Sequence, residues 1–338
     1  MSAQEHTVRQ RMAAAAARIA RLKRIDRAAV FVITAGGVAV VVGVLGILLF
    51  IAAEAIPLFR AAALAPGRVL ALKGTAAPTP GMRGFGIDEY QRYAFVVERD
   101  ARVVCYGLGD GAPARAFPVP GLAPGTIISA SSRSLLGNYL AAATERGTVS
   151  LMQLFYTPKY DNGALTDLEI VLRDRGLVTV DPGGRPVRDV SYLEQDGRKQ
   201  LAAIVGDTDI AAWRTDDAGT EYRATVQVAA GQRATQVRVG RNGVFVVATD
   251  TGRLYRWVFD GDAPTLTDVS PVSNEPITAV EFLIGGTSVV VGTAGGRVTG
   301  WFPAPLANGT EAMVQAQVFD PQGSAVVAFA SSPRDRSF

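Results

Sequence analysis

His6 is the sole histidine among the 338 residues, and it lies in a basic N-terminal tail. A Ser-His-Asp triad, an imidazole base and a histidine-ligated zinc site are therefore excluded from everything that follows the tail. The densest oxygen ligands are Asp207-Thr208-Asp209 and Asp216-Asp217. They could suit a hard cation, but the alternating ligands of a calcium loop are missing, and acidic residues are ordinary in turns. Cys105, the single cysteine, excludes an internal disulfide. Within VVCY it alternates as a small buried hydrophobe, the rival being a reactive thiol. No phosphate-cradling GxxxxGK[ST] loop occurs, and Asn308-Gly309-Thr310 reads either as a glycosylation sequon or as a turn. No catalytic, cofactor-binding or metal residue is assigned, no cofactor is expected, and the chain is not expected to be an enzyme.

The elements that would position such residues are set by a repeat. Trp213, Trp257 and Trp301 stand 44 residues apart, closing LAAIVGDTDIAAW, FVVATDTGRLYRW and VVVGTAGGRVTGW. Two upstream echoes end at Met152 and Tyr106, so the steps are 46, 61, 44 and 44 residues. In each phrase a β-branched run meets a small or acidic turn, and the aromatic follows five residues later. A period in the low forties carrying strand, tight turn and strand is that of a propeller blade. In the last whole unit, 277–283 reads as a first strand, Gly285-Gly286 as a turn and Val289–Val291 as a buried strand. Gly295-Gly296 follows as a second turn, and Arg297–Phe302 returns with Val298 and Gly300 on one face. The recurrent Trp is expected between neighbouring blades. A generic β-sandwich also has short strands and Gly turns, but does not explain the fixed spacing.

The 61-residue step carries an insertion, Tyr156 to Pro186, expected as a long excursion or an extra hairpin. A further unit opens at Ala325, aligned with ITAVEFLIGGTSVV, and its aromatic would fall past Phe338. The fold class expected is thus mainly β: a WD40-like β-propeller of five complete blade units plus a partial one, preceded by one transmembrane α-helix. Because a propeller closes on itself to hide its edges, the repeat reads as truncated.

From Ala28 to Ala53 no charge occurs in 26 positions, more than the roughly 20 residues a spanning helix needs. A cleaved signal peptide is the rival; its apolar core is shorter, and Pro57 would hamper cleavage after Ala53-Glu54-Ala55. Residues 1–27 hold seven Lys/Arg against Glu5 and Asp26, and only Glu54 and Arg60 lie close on the far side. The positive-inside rule then places the N terminus in the cytoplasm. The tail is net +5 and the whole chain +3, so residues 28–338 are net −2, which removes the basic patch that nucleic-acid binding needs. Met12, Ala15, Ile19 and Leu22 share a stripe of a tail helix, facing anionic lipid or a cytoplasmic partner. Ala39 and Gly43 form a small-xxx-small pair within the apolar stretch. The organisation read is a cytoplasmic basic juxtamembrane helix (1–27), a signal-anchor (28–53), a linker (54–80) and an exported propeller (81–338).

A basic helix, one span, an IPLF exit at Ile56–Phe59 and a WD40-like exported domain containing SSPRDRSF at Ser331–Phe338 follow one another here. In that order of parts the chain resembles the N-terminal part of the large-type bacterial phosphate ABC-transporter permease. The resemblance covers essentially all 338 residues, on short motifs. The WD dipeptide is absent: Arg214, Val258 and Phe302 follow the three Trp. The resemblance implies a bacterial inner-membrane location with the propeller in the periplasm, and transport spans in the later part of such a subunit. It implies as partners a second permease subunit, a cytoplasmic ATPase and a periplasmic phosphate-binding protein, with the propeller as a docking or regulatory module. No pore or substrate residue carries over. Two other classes stay open: a membrane-anchored periplasmic assembly scaffold, against which the lack of a lipoprotein Cys counts, and a quinoprotein-like dehydrogenase, which needs a Glu, Asn and Asp cluster not found here.

Overall fold

A computed structural model describes residues 3–56, 69, 71–73, 82–135, 137–305, 311–319 and 323–332, excepting the side chains of 3–21, Ile25 and Met82. Asn308-Gly309-Thr310, the tail stripe up to Ile19, most of the 54–80 linker, Pro57–Phe59 and residues 333–338 lie outside the described parts. The chain divides into two compact units, Met1–Arg68 and Val69–Phe338.

The first unit is one helix, α1 (Ala3–Ala55). Ala, Leu and Arg favour it, and no proline interrupts before Pro57. The 26 uncharged residues rise about 39 Å at 1.5 Å each, enough for a hydrocarbon core of about 30 Å. Its apolar side chains from Val30 to Ile51 are exposed, and Leu22–Ala55 is long and apolar enough to cross a membrane. Among the described residues no atom lies within 4 Å of a Cβ placed on Gly36, Gly37, Gly43 or Gly46.

The second unit is a β-propeller whose described residues form five four-stranded antiparallel sheets, each built from consecutive strands. Blade 1 holds β1 (Met82–Ile87), β2 (Tyr93–Glu98), β3 (Arg102–Gly107) and β4 (Pro113–Pro118). Blade 2 holds β5 (Ile128–Arg133), β6 (Tyr139–Thr144), β7 (Thr148–Asp161) and β8 (Ala164–Thr179). In blade 3 these are β9 (Val187–Gln195), β10 (Arg198–Val205), β11 (Asp209–Thr215) and β12 (Glu221–Gln227). Blade 4 comprises β13 (Ala234–Val239), β14 (Val244–Thr249), β15 (Arg253–Val258) and β16 (Thr265–Pro271). Blade 5 comprises β17 (Ile277–Phe282), β18 (Val289–Thr293), β19 (Val298–Pro305) and β20 (Glu311–Phe319). The first strands pack on one another in chain order, β1 on β5, β5 on β9, β9 on β13 and β13 on β17.

The repeat occupies equivalent places. Tyr106, Met152, Trp213, Trp257 and Trp301 pair across their sheets with Ala94, Leu140, Leu201, Phe245 and Val289. Each Trp packs between blades as expected: Trp213 joins Ala141, Val149 and Leu151 of blade 2, and Trp257 joins Ala202 and Ile210 of blade 3. Trp301 joins Val246 and Leu254 of blade 4. Trp257 is also stacked by Phe245 at 5.4 Å and Tyr255 at 5.3 Å. The turn before the aromatic strand is a T-x-x-G device in three blades. The hydroxyls of Thr144, Thr249 and Thr293 accept the amides of Thr148, Arg253 and Arg297 at 3.0–3.2 Å. Gly252 itself leaves no room for a side chain, because a Cβ there would meet the Ser273 carbonyl oxygen at 2.1 Å.

Two expectations change. The insertion is neither an excursion nor an extra hairpin: it lengthens the existing β7–β8 pair to 14 and 16 residues, where β15 and β16 have 6 and 7. Asn162 (φ 48°) and Gly163 (φ 78°) turn its tip, the left-handed pair a two-residue hairpin requires. Each unit also carries a fourth, outer strand that the repeat phrase does not contain. β12 shows why, with alternating exposed and half-buried residues and no continuous apolar run.

Candidate functional site

The best-built polar arrangement lies along the first strands, whose edges are closed by side chains of the neighbouring blade. Asp189 Oδ2 accepts the Val237 amide at 2.8 Å and Ser191 Oγ the Val239 amide at 2.9 Å, tying β9 to β13. Gln236 donates to the Thr278 carbonyl and accepts the Val280 amide, both at 2.9 Å, while Thr235 donates to the Ile277 carbonyl. Ser131 donates to the Arg83 carbonyl at 2.9 Å in the same manner. Strand edges that would otherwise be open templates are thereby satisfied.

Arg238 sits at the centre of this ring, 2.8 Å from Asp189 and 3.3 Å from Glu281, so one guanidinium joins blades 3, 4 and 5. The three side chains keep 19–29% of their exposure. Burial raises the Glu281 carboxyl above its ordinary range; Arg238 and the Phe282 amide oppose this without cancelling it. Burial alone would lower Arg238, but the Asp189 and Glu281 charges outweigh it and hold it protonated. The arrangement ties three blades together through one guanidinium shared by two carboxylates.

The acids singled out by sequence are scattered among arginines. Asp207 is shared by Arg188 (2.7 Å) and Arg233 (3.0 Å). Asp209 takes Arg185 at 2.8 Å and Gln227 at 2.7 Å, and Arg185 also pairs with Asp181 at 3.0 Å. The Arg185 bond holds Asp209 and Asp181 below the usual carboxylate range. Asp216 caps its own turn through the amides of Ala218 and Thr220, and Asp217 pairs with Arg198. Among the described residues no group of three His, Cys, Asp or Glu converges on a cation site. Cys105 is buried, and burial foremost, with the Asp88 charge, pushes its thiol up to about 12.

A shallow cleft of about 200 Å³ opens beside β4 and β8, lined by Tyr93, Arg115, Lys159, Asp167 and Glu169. Its polar groups hold the long hairpin onto blade 1. Arg92 donates to the Leu165 and Thr166 carbonyls at 2.6 and 2.9 Å, and the Tyr93 hydroxyl donates to Asp167 at 2.6 Å. That hydrogen bond, and secondarily burial, pushes the Tyr93 phenol up to about 12. Arg92 and Tyr93 are aimed by Asp88, which accepts the amides of Tyr90, Arg92 and Tyr93. Sequence reasoning passed over this cluster, because its partners are 73 or 74 positions apart and no motif links them.

No family model matches the chain, and no curated protein matches it. Among solved structures it is similar to the computationally designed Ika8 protein, at 14% identity and TM-score 0.48, covering 77% of this chain and 67% of that one. It is also similar to the β-propeller domain of Myceliophteria thermophila Cps50 (Swd1), at 14% identity and TM-score 0.48, covering 73% and 75%. The propeller assignment itself stands on strand order, register and the blade repeat described above.

Proposed function

We propose that this chain is the N-terminal portion of an inner-membrane ABC-transporter permease subunit for inorganic phosphate import, its propeller serving as a periplasmic docking or regulatory module. The observation that carries the reading is the order of parts: a basic segment and an uncharged apolar stretch within one helix, then blades that begin at Met82. The positive flank favours a cytoplasmic N terminus. Asp189, Asp207 and Asp209 are engaged by arginines between and within blades, which favours a surface-presenting module over a catalyst. The partners of this reading are a second permease subunit, a cytoplasmic ATPase and a periplasmic phosphate-binding protein.

The test is deletion of the gene followed by measurement of radiolabelled phosphate uptake at limiting phosphate. Loss of uptake, restored by the intact gene, is expected. Unchanged uptake overturns the transport reading and favours an anchored assembly scaffold. Topology is read separately with Gly261→Cys, a surface turn position, and a membrane-impermeant maleimide. Labelling from the periplasmic side is expected; labelling only after the inner membrane is opened overturns the orientation.

A further inference from the structure

The interface between blades 1 and 2 reverses the polarity of those joining blades 3, 4 and 5. Register defines the equivalent first-strand positions. Those facing the following blade carry Asp189 and Ser191 in blade 3 and Gln236 and Arg238 in blade 4, but Gly84 and Gly86 in blade 1. Those facing the preceding blade carry Val190 and Tyr192 in blade 3, Val237 and Val239 in blade 4, and Val280 and Phe282 in blade 5. Blade 2 puts Ser131 and Arg133 there. The glycines make the room: a Cβ on Gly84 would run into Ser131 Oγ, and one on Gly86 would meet Arg133 Nη1 at 2.7 Å.

Ser131 donates its hydroxyl to the Arg83 carbonyl, whereas Arg133 keeps most of its donors. Its guanidinium lies over the Phe95 ring at 5.6 Å and gives one hydrogen bond, from Nη2 to Asn138 Oδ1 at 2.9 Å. Nε and Nη1 have no acceptor among the described residues, so one edge of the planar fork stays open. No carboxylate among the described residues pairs with Arg133, whereas Arg238 has two.

The groups whose charges reach Arg133 are Tyr156 and Asp88. Asp88 already accepts the amides of Tyr90, Arg92 and Tyr93. Tyr156 is 6% exposed; burial foremost raises its phenol and keeps it neutral, and its hydroxyl has no partner among the described residues. Arg133 itself is exposed, yet burial lowers its guanidinium. Both hold where a side chain lines a recess: protein surrounds the charge and water still reaches it. A cation so placed loses solvation, and no acid of the interface offsets that loss.

We propose that the recess at Arg133, between blades 1 and 2, binds an oxyanion, a carboxylate or phosphate group gripped by the open edge of the guanidinium. The site is independent of the transport reading, since it follows from the polarity of one blade interface.

The experiment is thermal unfolding of the purified 338-residue chain in detergent, followed by circular dichroism. Sodium phosphate, sodium acetate or sodium chloride is added at matched ionic strength. A saturating rise in midpoint of about 2 °C or more with phosphate, acetate or both, beyond that with chloride, is expected. Phosphate alone assigns a phosphoryl ligand, and acetate alone a carboxylate. Kosmotropic salts stabilise folded chains in general, so the same series on Arg133→Ile supplies the baseline. That variant installs the side chain of the blade 1 equivalent, Ile87, and the saturating rise is expected to vanish in it. A wild-type rise no greater than with chloride, or one that survives in Arg133→Ile, overturns the proposal. Should Arg133→Ile not fold, Arg133→Lys keeps the charge and loses the fork. Binding weakened by about tenfold is then expected, and unchanged binding overturns the proposal. The readout needs no transport, so its failure is distinct from failure of the transport reading.

Discussion

Ala101 holds φ at 60° in the turn where blades 2, 4 and 5 place Gly147, Gly252 and Gly296 at 73°, 74° and 85°. Its carbonyl accepts the Val119 amide as that of Gly147 accepts Val180 and that of Gly252 accepts Val272. An alanine in this region is strained by roughly 1 kcal/mol relative to glycine. Ala101→Gly is therefore expected to raise stability by about 0.5–1 kcal/mol in urea unfolding; a loss of stability would remove the strain account. The ring arginine gives a second expectation. Arg238→Met leaves Asp189 and Glu281 facing each other without a cation and is expected to cost about 3 kcal/mol. Glu281→Gln keeps an acceptor for the Phe282 amide and removes a charge that burial already disfavours. Because the native pKa of Glu281 is raised, its contribution is full below the ordinary value of 4.5 and is lost as pH rises through the higher native value. Stability relative to wild type should therefore improve for Glu281→Gln as pH is raised from 4 toward 8. Parallel urea midpoints across that range would contradict the assignment.

The β7–β8 hairpin is the element whose role is most local. Its inner face, with Tyr156, Leu168 and Ile170, joins the blade 1–blade 2 core, and Arg92 clamps its tip by two carbonyls. Arg92→Ala is expected to speed amide exchange around 164–168 severalfold while global stability shifts by less than about 1 kcal/mol, since the bonds are near the surface. Uniform exchange throughout blade 2 would show instead that the hairpin is part of the global unit. This element also marks the limit of sequence reasoning. The Trp interval revealed three strands per blade, because Trp213, Trp257 and Trp301 must fill the same inter-blade slot. Asn162-Gly163 was readable as a turn, but not which strands it joined, since Lys159, Asp161 and Asp167 break the apolar pattern of a half-exposed hairpin. Outer strands such as β4 were missed for the same reason: only Phe117 of its six residues packs on the core. The ring of Asp189, Arg238 and Glu281 was invisible because its members meet only when three blades assemble, at separations above 40 residues.

At the scale of the whole molecule, the helix and the propeller are separate compact units. A chain beginning at Val69 is expected to remain in the soluble fraction with a β-type circular dichroism spectrum, while the 338-residue chain partitions to membranes. Aggregation of the shortened chain would mean that the propeller needs its anchor to fold. From blade 3 onward the first-strand side chains reach the following strand, whereas Ser131 of β5 reaches back to Arg83 of β1. Side chains of β9 reach the amides of β13, those of β13 reach the backbone of β17, and Thr278 of β17 reaches Val326. Each of the three Trp likewise settles on a blade that was translated before it. As the chain leaves the ribosome N terminus first, each of the three Trp therefore meets a blade already made. Pulling force on an arrest peptide should rise in pulses, about 44 residues of synthesis apart through blades 3 to 5, as each completed sheet tugs its successor out of the tunnel.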